Sequence, residues 1–169
     1  MPMFERTELM IGAEKLECLK ASHVLVVGLG GVGAYAAEML CRAGVGKLTL
    51  IDSDKVSRSN KNRQLLALDS TEGKLKTEVL AERLKDINKD VELVCLSEYL
   101  KDERMLEVLK ETKYDYVIDA IDTLSPKLYL IAHCVKLSIP VVSSMGSGGK
   151  LNPSLVQVAD ISQSYNCPL

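Results

Sequence analysis

Asp52 and Asp54 follow one apolar run of this 169-residue chain, and Asp119 and Asp122 close another. Four acids gathered at one rim repel each other unless a cation or a set of basic side chains answers them. The intervening stretch supplies Arg58, Lys61, Arg63, Lys74 and Lys76, with Asn60 among them. Acids able to hold Mg²⁺, beside cations able to clamp phosphates, suit nucleoside triphosphate chemistry better than hydride transfer. Upstream, Val24–Val27 runs into Gly28-Leu29-Gly30-Gly31-Val32-Gly33. Glycines at this spacing allow a tight turn, a close approach of backbone to phosphate, and close packing of a helix on a strand. The free N–H groups and positive dipole end of the following helix favour an anion. Asp52 stands 24 residues after Gly28, where an acid holds a ribose hydroxyl. The glycine motif alone does not choose between a dinucleotide and ATP.

Other reactive residue types read differently. His23 opens a strand and His133 lies inside an amphipathic helix, and neither has a serine or cysteine arrangement that makes a triad. The segment from Ser144 to Gly149 is either a flexible turn or a place where substrate approaches the nucleotide. The five cysteines are scattered and contain no Cys-x-x-Cys pair, which fits a reduced cytoplasm and speaks against structural zinc in this span. Cys41, Cys95 and Cys134 read as small core residues. A net charge of −2 and a pI near 5.8 give no global pull toward nucleic acid or anionic lipid. No apolar stretch is long enough to span a membrane, and no signal-type leader opens the chain.

An apolar content of 47% supports one good core, so a single domain over 1–169 is expected. Positioning the acids requires an α/β fold: a doubly wound, Rossmann-like, mainly parallel sheet with helices on both faces. Expected strands are Val24–Val27, Lys47–Ile51, Glu92–Leu96, Tyr116–Asp119, Pro140–Ser144 and Leu155–Ala159. Expected helices span about Ala13–Ala21, Val32–Ala43, Lys74–Asn88 and Glu103–Glu111. A further helix is N-capped by Ser125, with Pro126 at its first position, and ends near Leu137. The loop from Ser53 leads into a stretch up to Asp69 with no assignable structure. The polar tail stops at Leu169 without a domain-ending signal and reads as cut.

Five segments in order resemble the ubiquitin-activating-enzyme superfamily, which includes the adenylyltransferases of thiamine and molybdopterin synthesis. They are Gly28–Gly33, Asp52-Ser53-Asp54, Asn60–Gln64, Gly73 through Lys76 to Glu78, and Asp119–Asp122. The resemblance runs from Phe4 to Leu169. Three further segments resemble the tRNA threonylcarbamoyladenosine dehydratases within that superfamily. These are Phe4–Glu8 leading into Ile11-Gly12, the segment from Gly146 to Pro153, and Gln157–Ser162 followed by Tyr165, Asn166, Pro168 and Leu169.

The resemblance implies that Gly28, Gly30, Gly31, Gly33, Asp52 and Asp54 hold ATP. It also implies that Asn60, Arg63 and Lys76 contact phosphates and that Asp122 binds Mg²⁺. Arg6 would reach the nucleotide from a partner subunit, hence a homodimer, so Arg6, Arg63, Lys76 and Asp122 form the implied catalytic set. The implied reaction is ATP-dependent activation of the threonyl carboxylate of threonylcarbamoyladenosine in tRNA, followed by ring closure. The implied partners are tRNA and a sulfur-transfer or cysteine desulfurase system. The alternatives are an adenylyltransferase for the C-terminal glycine of a ubiquitin-like sulfur carrier, and a nucleotide-binding module without chemistry. Family chains continue past the position of Leu169, and the near-neutral charge is a mild argument against tRNA.

Overall fold

A computed structural model describes residues 3–167; the Pro168 and Leu169 of the dehydratase-like motif lie outside the described residues. Five parallel strands form one sheet in the order β3-β2-β1-β4-β5. They are β1 (His23–Val27), β2 (Lys47–Ile51), β3 (Glu92–Leu96), β4 (Tyr116–Asp119) and β5 (Val141–Ser143). The α/β, doubly wound reading is borne out. Every residue of β1 is buried, as a central parallel strand covered on both faces must be.

The pleat of β1 divides the core in two. Val24 and Val26 join Leu48 and Leu50 beneath α3 (Gly33–Ala43) and α4 (Lys76–Ile87). Leu25 and Val27 join Ile51 and Val117 beneath α5 (Asp102–Glu111) and α6 (Leu124–Lys136). The chain therefore winds one way through β1, β2 and β3, crosses back, and winds the other way through β4 and β5. The reversal falls between β1 and β4, where open parallel sheets form their ligand crevice. Ahead of the sheet stand α1 (Glu5–Ile11), which the sequence pattern does not announce, and α2 (Ala13–Ala21).

Four sequence expectations need correction. α6 begins at Leu124 with Thr123 at the cap position, so Pro126 is its third residue and not its first. A missing N–H is harmless anywhere in a first turn, so proline alone does not fix the start. No strand forms over 155–159 among the described residues. Pro153–Leu155 is a 3₁₀ turn whose Asn152 side chain accepts from Ser154 N–H at 3.0 Å, and Val158 is 97% exposed, with no neighbouring ladder. The helix expected from Lys74 starts two residues later, because Lys55 and Leu75 pair as an antiparallel bridge. Cys95 is exposed on edge strand β3 and is not a core residue, whereas Cys41 and Cys134 are fully buried.

A nucleotide cleft at the crossover of the sheet

The turn after β1 is built by two glycines doing different work. Gly28 has φ +89°, and a β-carbon on it would lie 2.6 Å from the Ala120 carbonyl oxygen. Only glycine takes that backbone without cost this close to the β4 loop. A β-carbon on Gly33 would lie 1.8 Å from the Gly28 carbonyl oxygen, so glycine is what lets α3 start against the turn. Gly30 and Gly31 have no such crowding; their nearest neighbours belong to Gln64 and Arg63. Residues Gly28, Gly30, Asp52, Asn60, Ile121 and Asp122 border a cleft of about 310 Å³ at the carboxyl ends of the strands. Lys76 and Arg63 also line it.

Asp52, Asp54 and Asp122 line this cleft and Asp119 does not; all but Asp122 are answered from within the protein. Asp52 accepts from Leu29 N–H at 2.6 Å and from Asp54 N–H at 2.8 Å, tying the glycine turn to the end of β2. Lys76, 4% exposed, lies 2.8 Å from the Asp54 carboxylate and 3.9 Å from that of Asp52. Its place follows from the bridge at Lys55 and Leu75 and from Lys76 N–H donating to the Asp54 carbonyl at 3.0 Å. Asp119 is fully buried and accepts from Lys127 Nζ at 2.6 Å. It is neither a helix cap nor a solvated loop acid. Asp122 is exposed and has no hydrogen bond or ion pair on its side chain among the described residues.

The cations sort in the same way. Lys61 pairs with Asp69 and, at 3.6 Å, with Glu72, away from the cleft. Arg58 and Lys74 are exposed and do not line the cleft. Arg63 does, and no carboxylate answers it: its guanidinium donates only to the Ser59 carbonyl at 3.3 Å and Asn62 Oδ1 at 2.9 Å. Asn60 Oδ1 accepts from Ser57 N–H at 3.1 Å, which leaves its amide NH₂ as the free end. One cleft thus holds an unanswered arginine and an unanswered aspartate. A phosphate chain carrying a divalent cation would satisfy both. Asp122 suits Mg²⁺, which takes one or two carboxylates and completes its shell with phosphate oxygens and water. No cluster of three or more His, Cys, Asp or Glu able to hold a metal occurs among the described residues.

Sequence reasoning missed two features of this cleft and one buried ion pair outside it. Val27, Ile51 and Leu100 form an apolar wall suited to a base, and Tyr99 beside Leu100 is exposed at the opening. Leu100 and Tyr99 follow an edge strand with no motif to mark them. Gln64 lines the cleft beneath Gly30. Lys127, hidden in the apolar pattern of α6, pairs with Asp119.

Elsewhere, Arg6 is exposed on α1 and does not line the cleft of its own chain. His23 is buried at the opposite end of β1, with Nε2 2.9 Å from Thr49 Oγ1, and burial lowers its pKa below the ordinary value. His133 sits on α6 near the Tyr129 ring. The Cys134 thiol is pushed up to about 11 by burial, so it is an inert core group.

A doubly wound sheet with an acid-rimmed cleft at its crossover defines a nucleotide-binding protein of the Rossmann type. Within that class the chain belongs to the ThiF family, whose model matches residues 4–169. It is 46% identical over 166 residues to the tRNA threonylcarbamoyladenosine dehydratase of Bacillus subtilis, covering 98% of this chain and 65% of that protein. To the Escherichia coli protein of the same name it is 40% identical, covering 98% of this chain and 62% of that one. To the E. coli molybdopterin-synthase adenylyltransferase it is 40% identical over 75% of this chain and 50% of that protein. The crystal structure of the E. coli dehydratase with ATP superposes with a TM-score of 0.95 at 40% identity, covering 99% of this chain and 68% of that one. The chain spans 59–65% of the length of the curated dehydratases it matches. Among the described residues, no helix is long and apolar enough to cross a membrane.

Proposed function

We propose that this chain forms the nucleotide-binding part of an ATP-dependent tRNA threonylcarbamoyladenosine dehydratase. The observation that carries the reading is the extent of identity: 46%, 43% and 40% to three such dehydratases over 92–98% of the chain. The sulfur-carrier adenylyltransferases match at 37–41% over only 75–81% of it. The unanswered Arg63 and Asp122 in one cleft support ATP with Mg²⁺ over a dinucleotide.

In this reading the turn amides and the start of α3 receive the phosphates. Asp52 keeps acceptor capacity for a ribose hydroxyl beyond its two backbone bonds. Arg63 and Lys76 steady the charge that develops as the substrate carboxylate attacks a phosphorus of ATP. A bond forms between carboxylate oxygen and phosphorus as a phosphoanhydride bond of ATP breaks and releases pyrophosphate or ADP, turning a poor leaving oxygen into a good one. The carbamoyl group of the same side chain then attacks the activated carbonyl, expels that oxygen and closes a ring. Both reacting groups belong to one side chain, so proximity supplies much of the rate. Mg²⁺ held by Asp122 would neutralise phosphate charge. No cysteine nucleophile is needed. Arg6, outside its own cleft, would act at the cleft of a second subunit in a homodimer.

Calorimetric titration with Mg-ATP and with NAD comes first, and Mg-ATP should bind more tightly. The full-length protein, given ATP and tRNA bearing threonylcarbamoyladenosine, should convert the nucleoside to a product lighter by one water. Tighter binding of NAD would overturn the reading.

A further inference from the structure

Lys127 is the largest side chain in the fully buried core, at 1% exposure, and it lines no part of the cleft. Its ammonium nonetheless has three oxygen partners at the carboxyl ends of two strands. It donates to Asp119 Oδ2 at 2.6 Å, to Ser143 Oγ at 3.2 Å and to the Ser144 carbonyl at 3.0 Å. Ser143 Oγ in turn donates to Asp119 Oδ2 at 2.5 Å. The other Asp119 oxygen, Oδ1, accepts from Ile121 N–H at 3.0 Å. That bond fixes the backbone one residue before Asp122. The same short segment carries Ala120, whose N–H donates to the Val27 carbonyl at 2.9 Å and whose own carbonyl oxygen would lie 2.6 Å from a β-carbon on Gly28.

Burying a lysine and an aspartate costs several kcal/mol per ion, and well-packed apolar residues often serve stability as well or better. Stability is therefore a weak reason for charge here, while geometry offers a strong one. A carboxylate with both oxygens engaged holds the Ile121 N–H in one orientation, and the Lys127 ammonium at 2.6 Å and the Ser143 hydroxyl hold that carboxylate in place. We infer that Lys127 is a positioning residue, acting through Asp119 to set the Ala120–Thr123 backbone so that Asp122 faces the cleft. The inference rests on the proposed ATP and magnesium reading. Through the Ser144 carbonyl the same ammonium also fixes the segment leaving β5.

The test is calorimetric titration of the full-length protein with ATP, once with excess Mg²⁺ and once with EDTA, for wild type, Lys127→Met, Lys127→Arg, Ser143→Ala and Asp122→Asn. In wild type, magnesium should tighten ATP binding. Lys127→Met should cut that magnesium-dependent gain about tenfold, a typical size for coupled neighbours, while leaving EDTA affinity within about threefold. Lys127→Arg should recover part of the gain. Adding Lys127→Met to Asp122→Asn should remove nothing further. An unchanged gain in Lys127→Met, or an equal loss with and without magnesium, overturns the inference. If Lys127→Met does not fold, Ser143→Ala decides it: a reduced gain supports the inference and a full gain overturns it. A wild type that fails to bind ATP in either condition refutes the proposed function instead.

Discussion

The glycine turn makes an unequal prediction for residues that look alike in the motif. A β-carbon at Gly33 would sit 1.8 Å from the Gly28 carbonyl oxygen and 3.1 Å from Ala120 Cβ. Ordinary carbon–oxygen contact is about 3.2 Å or more, so the overlap is about 1.4 Å against backbone that no rotamer change can relieve. Relief requires α3 to back away from the turn and from the β4 loop. Overpacking costs about 1–3 kcal/mol, and the rigid Gly28 backbone on one side with Ala120 Cβ on the other puts Gly33→Ala at about 3. At about 2–4 °C per kcal/mol for a domain of this size, melting should fall by about 6–12 °C. Gly31→Ala meets nothing closer than 3.6 Å and has no positive φ. It should stay within about 0.5 kcal/mol of wild type, or about 2 °C. Scanning calorimetry of the two variants without ligand gives the comparison. Equal drops, or a Gly33→Ala protein melting within about 2 °C of wild type, would refute the packing role.

Asp122→Ala should leave the nucleotide-free melting temperature within about 1 °C, since the side chain is exposed and unpartnered, while weakening Mg-ATP binding on calorimetry. Burial holds His23 below its usual 6.5, so the unfolded chain takes up the proton first as pH falls. The stability contributed by neutral His23 is complete above about 6.5 and is lost as pH drops toward the folded value. Melting should therefore decline as pH falls below about 6.5, and His23→Gln should flatten that slope. Mixing full-length Arg6→Ala and Asp122→Ala chains, each inactive alone, should restore about a quarter of wild-type activity after subunit exchange. No recovery would mean that Arg6 does not act across subunits.

The strands and the chemistry at their ends were legible because both leave marks in the chain. A buried parallel strand needs a mainly apolar run, as Val24–Val27 and Leu48–Ile51 show, and a turn crowded by backbone needs glycine at 28 and 33. The ends of elements were less legible. Pro126 fits any position of a first turn, and the start of α4 depends on a bridge to Lys55, twenty residues earlier in sequence. Only the tertiary structure decided which charges are free. Asp52, Asp54, Asp119 and Asp122 look equivalent in sequence, as do Lys61, Lys76 and Arg63. Lys127 was invisible because a lysine within an apolar helix pattern reads as an interruption at the surface. Pairing is set by which side chains the folded backbone brings within about 4 Å, and that distance is not a function of spacing along the chain. Folding answered three acids from within and left Asp122 and Arg63 open in one cleft, so the difference between structural and available charge exists only in three dimensions.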